Sequence, residues 1–178
     1  MIPPEKSEYA DYYVGYVSQV ADEKIEDVLA GQPAKLREMF SSVSEDRGTY
    51  AYEAGKWTLK EVLSHLIDGE RIFSYRILRI SRGDETPIEG FEQDGYIENS
   101  NANNRSFAEL LDEFELQRRS NMLLINNLSD DATKRSGTAS GFPVSVRALV
   151  YISAGHVRHH VGILKERYSI GQDLAATK

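Results

Sequence analysis

The chain has 178 residues, 40% of them hydrophobic, a formal net charge of −7 and no cysteine. That length supports one domain with its own core, and the missing cysteines exclude disulfides, thiolate metal ligands and a protein-borne thiol nucleophile. The acidic balance argues against binding a phosphate backbone, which needs clustered basic surface. No apolar run approaches the ~18 residues of a membrane span.

Met1-Ile2-Pro3-Pro4-Glu5-Lys6 lacks the apolar stretch of a signal peptide. The expectation is a single domain over 1–178, cytoplasmic, with neither nucleic acid nor membrane as partner. Tyr9, Tyr12, Tyr13 and Tyr16 are spaced like one helical face. Residues 1–20 therefore read as a segment packed across the domain rather than as a ligand box.

Four helical segments follow, and no alternating strand pattern competes with them. The first runs from about Asp22 to Val43, with Ile25, Val28, Leu29, Leu36, Met39, Phe40 and Val43 at helical spacing. Gly31 and Pro33 interrupt it, which predicts a kink or a late start. The second opens on a capping box, Thr58-Leu59-Lys60-Glu61, and its stripe of Leu59, Val62, Leu63, Leu66, Phe73, Ile77 and Ile80 ends before Gly83.

Ser106-Phe107-Ala108-Glu109 opens the third in the same way, and it continues to about Leu128. The fourth is expected to start near Pro143, a favourable first helical residue, and to end near Tyr168. Four such helices make an all-α four-helix bundle the natural solution. The connections, about 14, 23 and 14 residues long, exceed those of tight up-down bundles. At ~3.3 Å per extended residue each could run the length of a helix, so crossover connections are expected. The Asp84–Arg105 loop, rich in Gly, Pro and Asn and carrying Phe91 and Tyr96, is the candidate lid.

Helical phase at ~100° per residue sorts the four histidines. Against the middle of the fourth helix's apolar arc, His160 lies ~20° away, His156 ~60° and His159 ~120°. The pair at i and i+4 points inward and His159 sits on the flank. Ser153, Ala154 and Gly155 are small enough for a neighbouring helix to come close there. His65 stands on the flank of the second helix's arc, near Val62 and Gly69.

Three imidazoles from two helices can converge in a bundle core, and three histidines with an open fourth position is the arrangement of a catalytic zinc. Nickel or iron suit the same donors. Without a metal, the three would be buried, hydrogen-bonded core histidines, and spacing alone leaves both readings open. There is no His-Glu-x-x-His motif to support a metalloprotease.

Two charges also fall inside: Glu70 near the centre of the second helix's arc and Arg118 near the centre of the third's. Buried charges are expensive unless paired, so these two should pair, with Asn121 as neighbour, in a mainly structural role. Asp68, three residues after His65, is the candidate acceptor for an imidazole N–H or an acid–base group; no other catalytic residue can be named. Gly137-Thr138-Ala139-Ser140-Gly141 resembles a serine elbow only superficially, because the serine is misplaced and no strand precedes it.

Gly55-Lys56-Trp57-Thr58, His65-Leu66-Ile67-Asp68-Gly69-Glu70-Arg71, Tyr75-Arg76-Ile77-Leu78-Arg79, Glu113-Phe114 followed by Arg118, and Gly155-His156 with His159-His160 together resemble the DinB-like family of four-helix-bundle proteins (DinB/YfiT type). The likeness runs roughly from Glu8 to Tyr168. It implies a bundle, often dimeric, holding a divalent metal on three histidines that match His65, His156 and His160, while His159 matches a neighbour that is not normally a ligand.

The resemblance also implies a range of activities. Some relatives look like transferases or isomerases that use a low-molecular-weight thiol such as bacillithiol or mycothiol, and others have been called hydrolases. The leading expectation is a thiol S-transferase acting on a small electrophile in stress or detoxification, because an imported thiol suits a chain with no cysteine. A metal-dependent hydrolase is the alternative, and a non-catalytic, metal-binding dimeric stress protein the third reading.

Overall fold

The computed structural model describes residues 1–171. Seven helices and one hairpin occur among them: α1 (Val14–Val17), α2 (Ile25–Phe40), α3 (Leu59–Ser81), α4 (Gln93–Glu98), α5 (Phe107–Ile125), α6 (Asp130–Lys134), β1 (Ser136–Ala139), β2 (Phe142–Ser145) and α7 (Val146–Arg167). The long helices α2, α3, α5 and α7 form the four-helix bundle. None of the described helices is long and apolar enough to cross a membrane. The last seven residues of the expected 1–178 domain, 172–178, lie outside the described residues.

The capping boxes set two helix starts. Thr58 Oγ1 accepts from Glu61 N–H at 3.2 Å while Glu61 Oε2 accepts from Thr58 N–H at 2.8 Å. Ser106 and Glu109 repeat the exchange at α5. Each box satisfies backbone donors that have no partner in the first helical turn. Helix α5 stops at Ile125, short of the expected Leu128.

Three expectations need correcting. Helix α2 starts at Ile25 and runs unbroken through Pro33. Proline lacks the N–H that would bond the carbonyl of Leu29 four residues back, and Arg118 Nη1 supplies that bond at 3.0 Å. The helix continues because a distant guanidinium replaces the missing donor.

The second correction is the start of α7 and, with it, the expectation that no strand precedes Ser140, since β1 leads straight into that residue. Pro143 lies in β2, and Ser145 is the true cap, its Oγ accepting from Ala148 N–H at 3.0 Å. Ser140 and Gly141, at φ 53° and 81°, make the two-residue turn between antiparallel β1 and β2. Positive φ at both central residues is what a tight hairpin requires. Pro143 pairs opposite Thr138, beside the closing Ala139–Phe142 pair, where its nitrogen faces away from the ladder. Ile88 joins the free side of β1 through Ile88 N–H to Thr138 O and Ser140 N–H to Ile88 O, both 2.9 Å. The lid segment is thereby pinned to the hairpin, and it carries the short helix α4.

Third, the N-terminal tyrosines do not share one helix. Tyr9 is extended after one 3-10 turn, Tyr12 and Tyr13 lie in a second, and Tyr16 lies in α1, which packs on α7. Gly155 makes that approach possible, since a Cβ there would stand 2.1 Å from Tyr16 O.

Helix order settles the crossover question. Helix α3 packs on α5 and α7, and α2 packs on the same two. Consecutive α2 and α3 are therefore diagonal to one another, as are α5 and α7, so the first and third connections cross the bundle end. The core falls into two apolar halves. One gathers Leu29, Phe73, Ile77, Leu149 and Ile152; the other gathers Leu36, Leu63, Leu66, Phe114 and Leu164.

Candidate metal centre

Along α2, α3, α5 and α7 the polar residues Gln32, Glu70, Arg118 and Ser153 fall between the two apolar halves. Arg118 and Glu70 form a two-point ion pair, Nε to Oε2 at 2.8 Å and Nη2 to Oε1 at 2.6 Å, with both side chains 2% exposed. Asn121 Nδ2 donates to Glu70 Oε2 at 2.9 Å and Ser153 Oγ to Oε1 at 2.9 Å. Arg118 Nη1 also donates to Gln32 Oε1 at 2.6 Å, and Gln32 Nε2 donates to Ala154 O at 2.7 Å. All four long helices meet in this layer. Both charges have the partners that make burial tolerable, and the layer sets the relative height of α3 and α7, the two helices that carry the histidines.

His65, about 1.4 turns before Glu70, and His156 and His160, just after Ser153, converge beside it. Their ring centroids form a nearly equilateral triangle with sides of 4.8, 4.7 and 4.7 Å. One nitrogen from each lies within 4.8 Å of the other two, and all three residues are buried. Trp57 covers His65 at 4.6 Å, and Tyr16 and Phe73 each meet His156 edge-on at 5.6 Å. Gly69 leaves room for the His156 ring: a Cβ there would come within 2.9 Å of Cε1. His159 is half-buried at the bundle edge, against Tyr16.

This donor set fits a metal. His65 Nε2 and His156 Nε2 face each other at 2.8 Å, and two lone pairs at that distance repel unless a proton or a cation lies between them. Burial, the largest effect, pushes the pKa of His65 down to about 4 and that of His160 down to about 3, and it carries His156 well below the ordinary histidine range. Neutral imidazoles are the ligand form. Among the described residues no carboxylate pairs with an imidazole: Asp94 acts on His65 only through its charge, and Asp68 points toward Arg71, 3.8 Å away, and makes no hydrogen bond to an imidazole. Its expected orienting role is not seen.

A cavity of about 390 Å³ opens onto His65 and His156. Tyr12, Tyr13 and Tyr16 form one wall, and Gly90, Phe91, Glu92 and Gln93 of the lid segment form the other. The tyrosines read as packing residues are thus also cavity walls. Arg76 and Ser140 line it too, and neither was picked out as a site residue from sequence. Arg76 could have been, since it lies eleven residues, about three turns, beyond His65 on the same face of α3; no local signal places Ser140 here.

Among solved structures, the chain is similar to YfiT from Bacillus subtilis, described as a probable metal-dependent hydrolase with an unusual four-helix bundle topology. They share 19% identity with a TM-score of 0.73, over 93% of this chain and 93% of that one. It is also similar to the mycothiol-dependent maleylpyruvate isomerase, at 18% identity and TM-score 0.64, covering 79% of this chain but 60% of that one. At these identities the likeness shows the fold. No curated protein sequence matches the chain. The sequence pattern described as the DinB superfamily matches residues 29–164, a span that holds all three histidines and the Glu70–Arg118 pair, and the chain belongs to that superfamily.

Proposed function

We propose that this protein is a metal-dependent enzyme in which His65, His156 and His160 hold one divalent ion, zinc in the first place, and that it transfers a small thiol to an electrophile in stress or detoxification chemistry. The supporting observation is the triangle of buried, neutral imidazoles opening onto a cavity. A divalent ion there would supply Lewis acidity that lowers the pKa of a thiol or water completing its shell. The chain's own residues do the rest. Trp57, Tyr16 and Phe73 shield the imidazoles from water, Gly69 leaves His156 its place, and the lid segment closes the space in which a thiol and an electrophile would meet.

A thiol needs no further base once its proton is lost to the medium, which suits a centre where, among the described residues, no carboxylate pairs with an imidazole. Hydrolysis is the second reading, favoured by one observation: Glu92 lines the same cavity and could serve as a proton acceptor for water. A homodimer, by family resemblance, acting on a small molecule in the cytoplasm completes the proposal.

Metal analysis of the purified protein tests the centre, with one equivalent per chain expected and its loss expected in His65→Ala and His160→Ala. Conjugation of a chromogenic electrophile is then measured with a panel of small thiols. Turnover that requires the thiol supports the transferase. Thiol-independent hydrolysis that Glu92→Gln abolishes would establish the second reading.

A further inference from the structure

Arg76 is 2% exposed, yet among the described residues it forms no ion pair, and its Nε has no hydrogen-bond partner. Its bonds are Nη2 to Ser140 Oγ at 2.8 Å and Nη2 to Glu89 O at 3.4 Å, both neutral acceptors. The contrast with Arg118 is direct. Both arginines are buried to the same degree, but Arg118 faces a carboxylate, a side-chain amide and a carbonyl. Arginine keeps its proton in proteins, so the charge on Arg76 stays, and a buried charge is retained at a cost unless an anion meets it.

Among the described residues Arg76 lines two cavities, one of about 550 Å³ toward Arg79 and Pro87 and the 390 Å³ cavity that also reaches His65 and His156. His65, Gly69, Phe73 and Arg76 follow one another along one face of α3, with His65 and Arg76 separated by ~16 Å of helix rise. The arginine side chain spans part of that distance. Ser140 reaches the guanidinium from the hairpin turn at φ 53°, a conformation serine rarely adopts, and the turn is held by Ile88 of the lid segment.

We infer that Arg76, steadied by Ser140, is a binding residue for an organic carboxylate, whose acid group it takes while the rest of the molecule extends toward His65 and His156 between the aromatic walls. This deepens the proposed function, on which it rests for what happens at the histidine end: the electrophile would be a small carboxylic acid. Guanidinium and carboxylate match in a two-point contact; Nε is sealed from solvent, so that contact would be made at the Nη edge of the fork.

The test uses acetate, phenylacetate and succinate, each against its amide, with binding measured by calorimetry on the purified holoprotein. At least one acid should bind while its amide does not, and Arg76→Met should weaken that acid at least about tenfold, with Arg76→Lys intermediate because it keeps the charge and loses the fork. Arg76→Met should also unfold at the same or a higher temperature, since it removes a charge with no protein partner.

The same measurements on metal-stripped protein separate this subsite from the centre. Acid binding that still depends on Arg76 there supports the subsite even if the metal proposal fails. Equal binding of acid and amide, no binding of any acid, unchanged affinity in Arg76→Met, or a marked loss of its stability would each overturn the inference.

Discussion

Arg118 donates to the carbonyl of Leu29 at 3.0 Å, the one carbonyl of α2 that Pro33 leaves without its helical donor. The same guanidinium neutralises Glu70, so one side chain mends a helix and closes the buried ion pair.

That double duty makes Arg118→Ala costly. It strands a buried carboxylate and reopens the Leu29 carbonyl, and the expected loss is about 3–5 kcal/mol. Chemical denaturation should report it as a lower midpoint with little change in slope. The double variant Glu70→Leu/Arg118→Met, which leaves no lone charge, should recover more than half. A single variant as stable as wild type would refute the account.

Pro33→Ala tests the repair itself. Proline inside a helix ordinarily costs about 3 kcal/mol relative to alanine, but here its missing bond is already replaced. The expected gain is under about 1 kcal/mol in the wild-type background and larger in Arg118→Met, where the carbonyl has lost its donor. Additive effects across that double-mutant cycle would show that the two residues are not coupled.

Gly69→Ala probes the packing behind His156. An alanine methyl would press on the imidazole at 2.9 Å while improving the helix by up to about 1 kcal/mol. Affinity for zinc should fall by roughly 10–100-fold, the range seen when residues that orient a ligand are changed, with all three histidines still present. Competition with a chromogenic chelator measures this, and unchanged affinity would mean the ring has room to spare.

The N-terminal segment should contribute to acid sensitivity. Burial raises the pKa of Glu8, but hydrogen bonds from Arg147 and Ser145 outweigh it and hold the carboxyl at about 2 rather than 4.5. A depressed pKa stabilises the fold above the unfolded value, and the contribution fades as pH falls from 4.5 toward 2. Tyrosine fluorescence followed against pH should show the segment loosening in that window. In Glu8→Gln the loosening should be present at neutral pH and vary less with acid; an identical acid profile would remove Glu8 from the explanation.

Much of the bundle was legible because helices announce themselves locally. The boxes at Thr58 and Ser106 marked helix starts to the residue, and the apolar period placed His156 and His160 inward, Glu70 and Arg118 inward, and His159 at the edge. Periodicity, however, gives a side chain a direction within its own helix and says nothing of which element lies opposite. The diagonal order of α2 and α3, the meeting of His65 with the α7 pair, and the turn of Asp68 toward Arg71 are relations between elements. Pro33 shows the same limit: the local rule predicts a kink or a late start, and the donor that meets the Leu29 carbonyl comes from Arg118, far along the chain. Pro143 misled for the converse reason, since a proline suited to a helix start also suits the outward side of a hairpin, and only pairing with Thr138 decides. The four long helices, their buried faces and the candidate ligands could be read locally, because 3.6-residue geometry is local. What faces those ligands and what reaches Arg76 emerged only from the packed fold, because partners for buried polar groups are recruited across it.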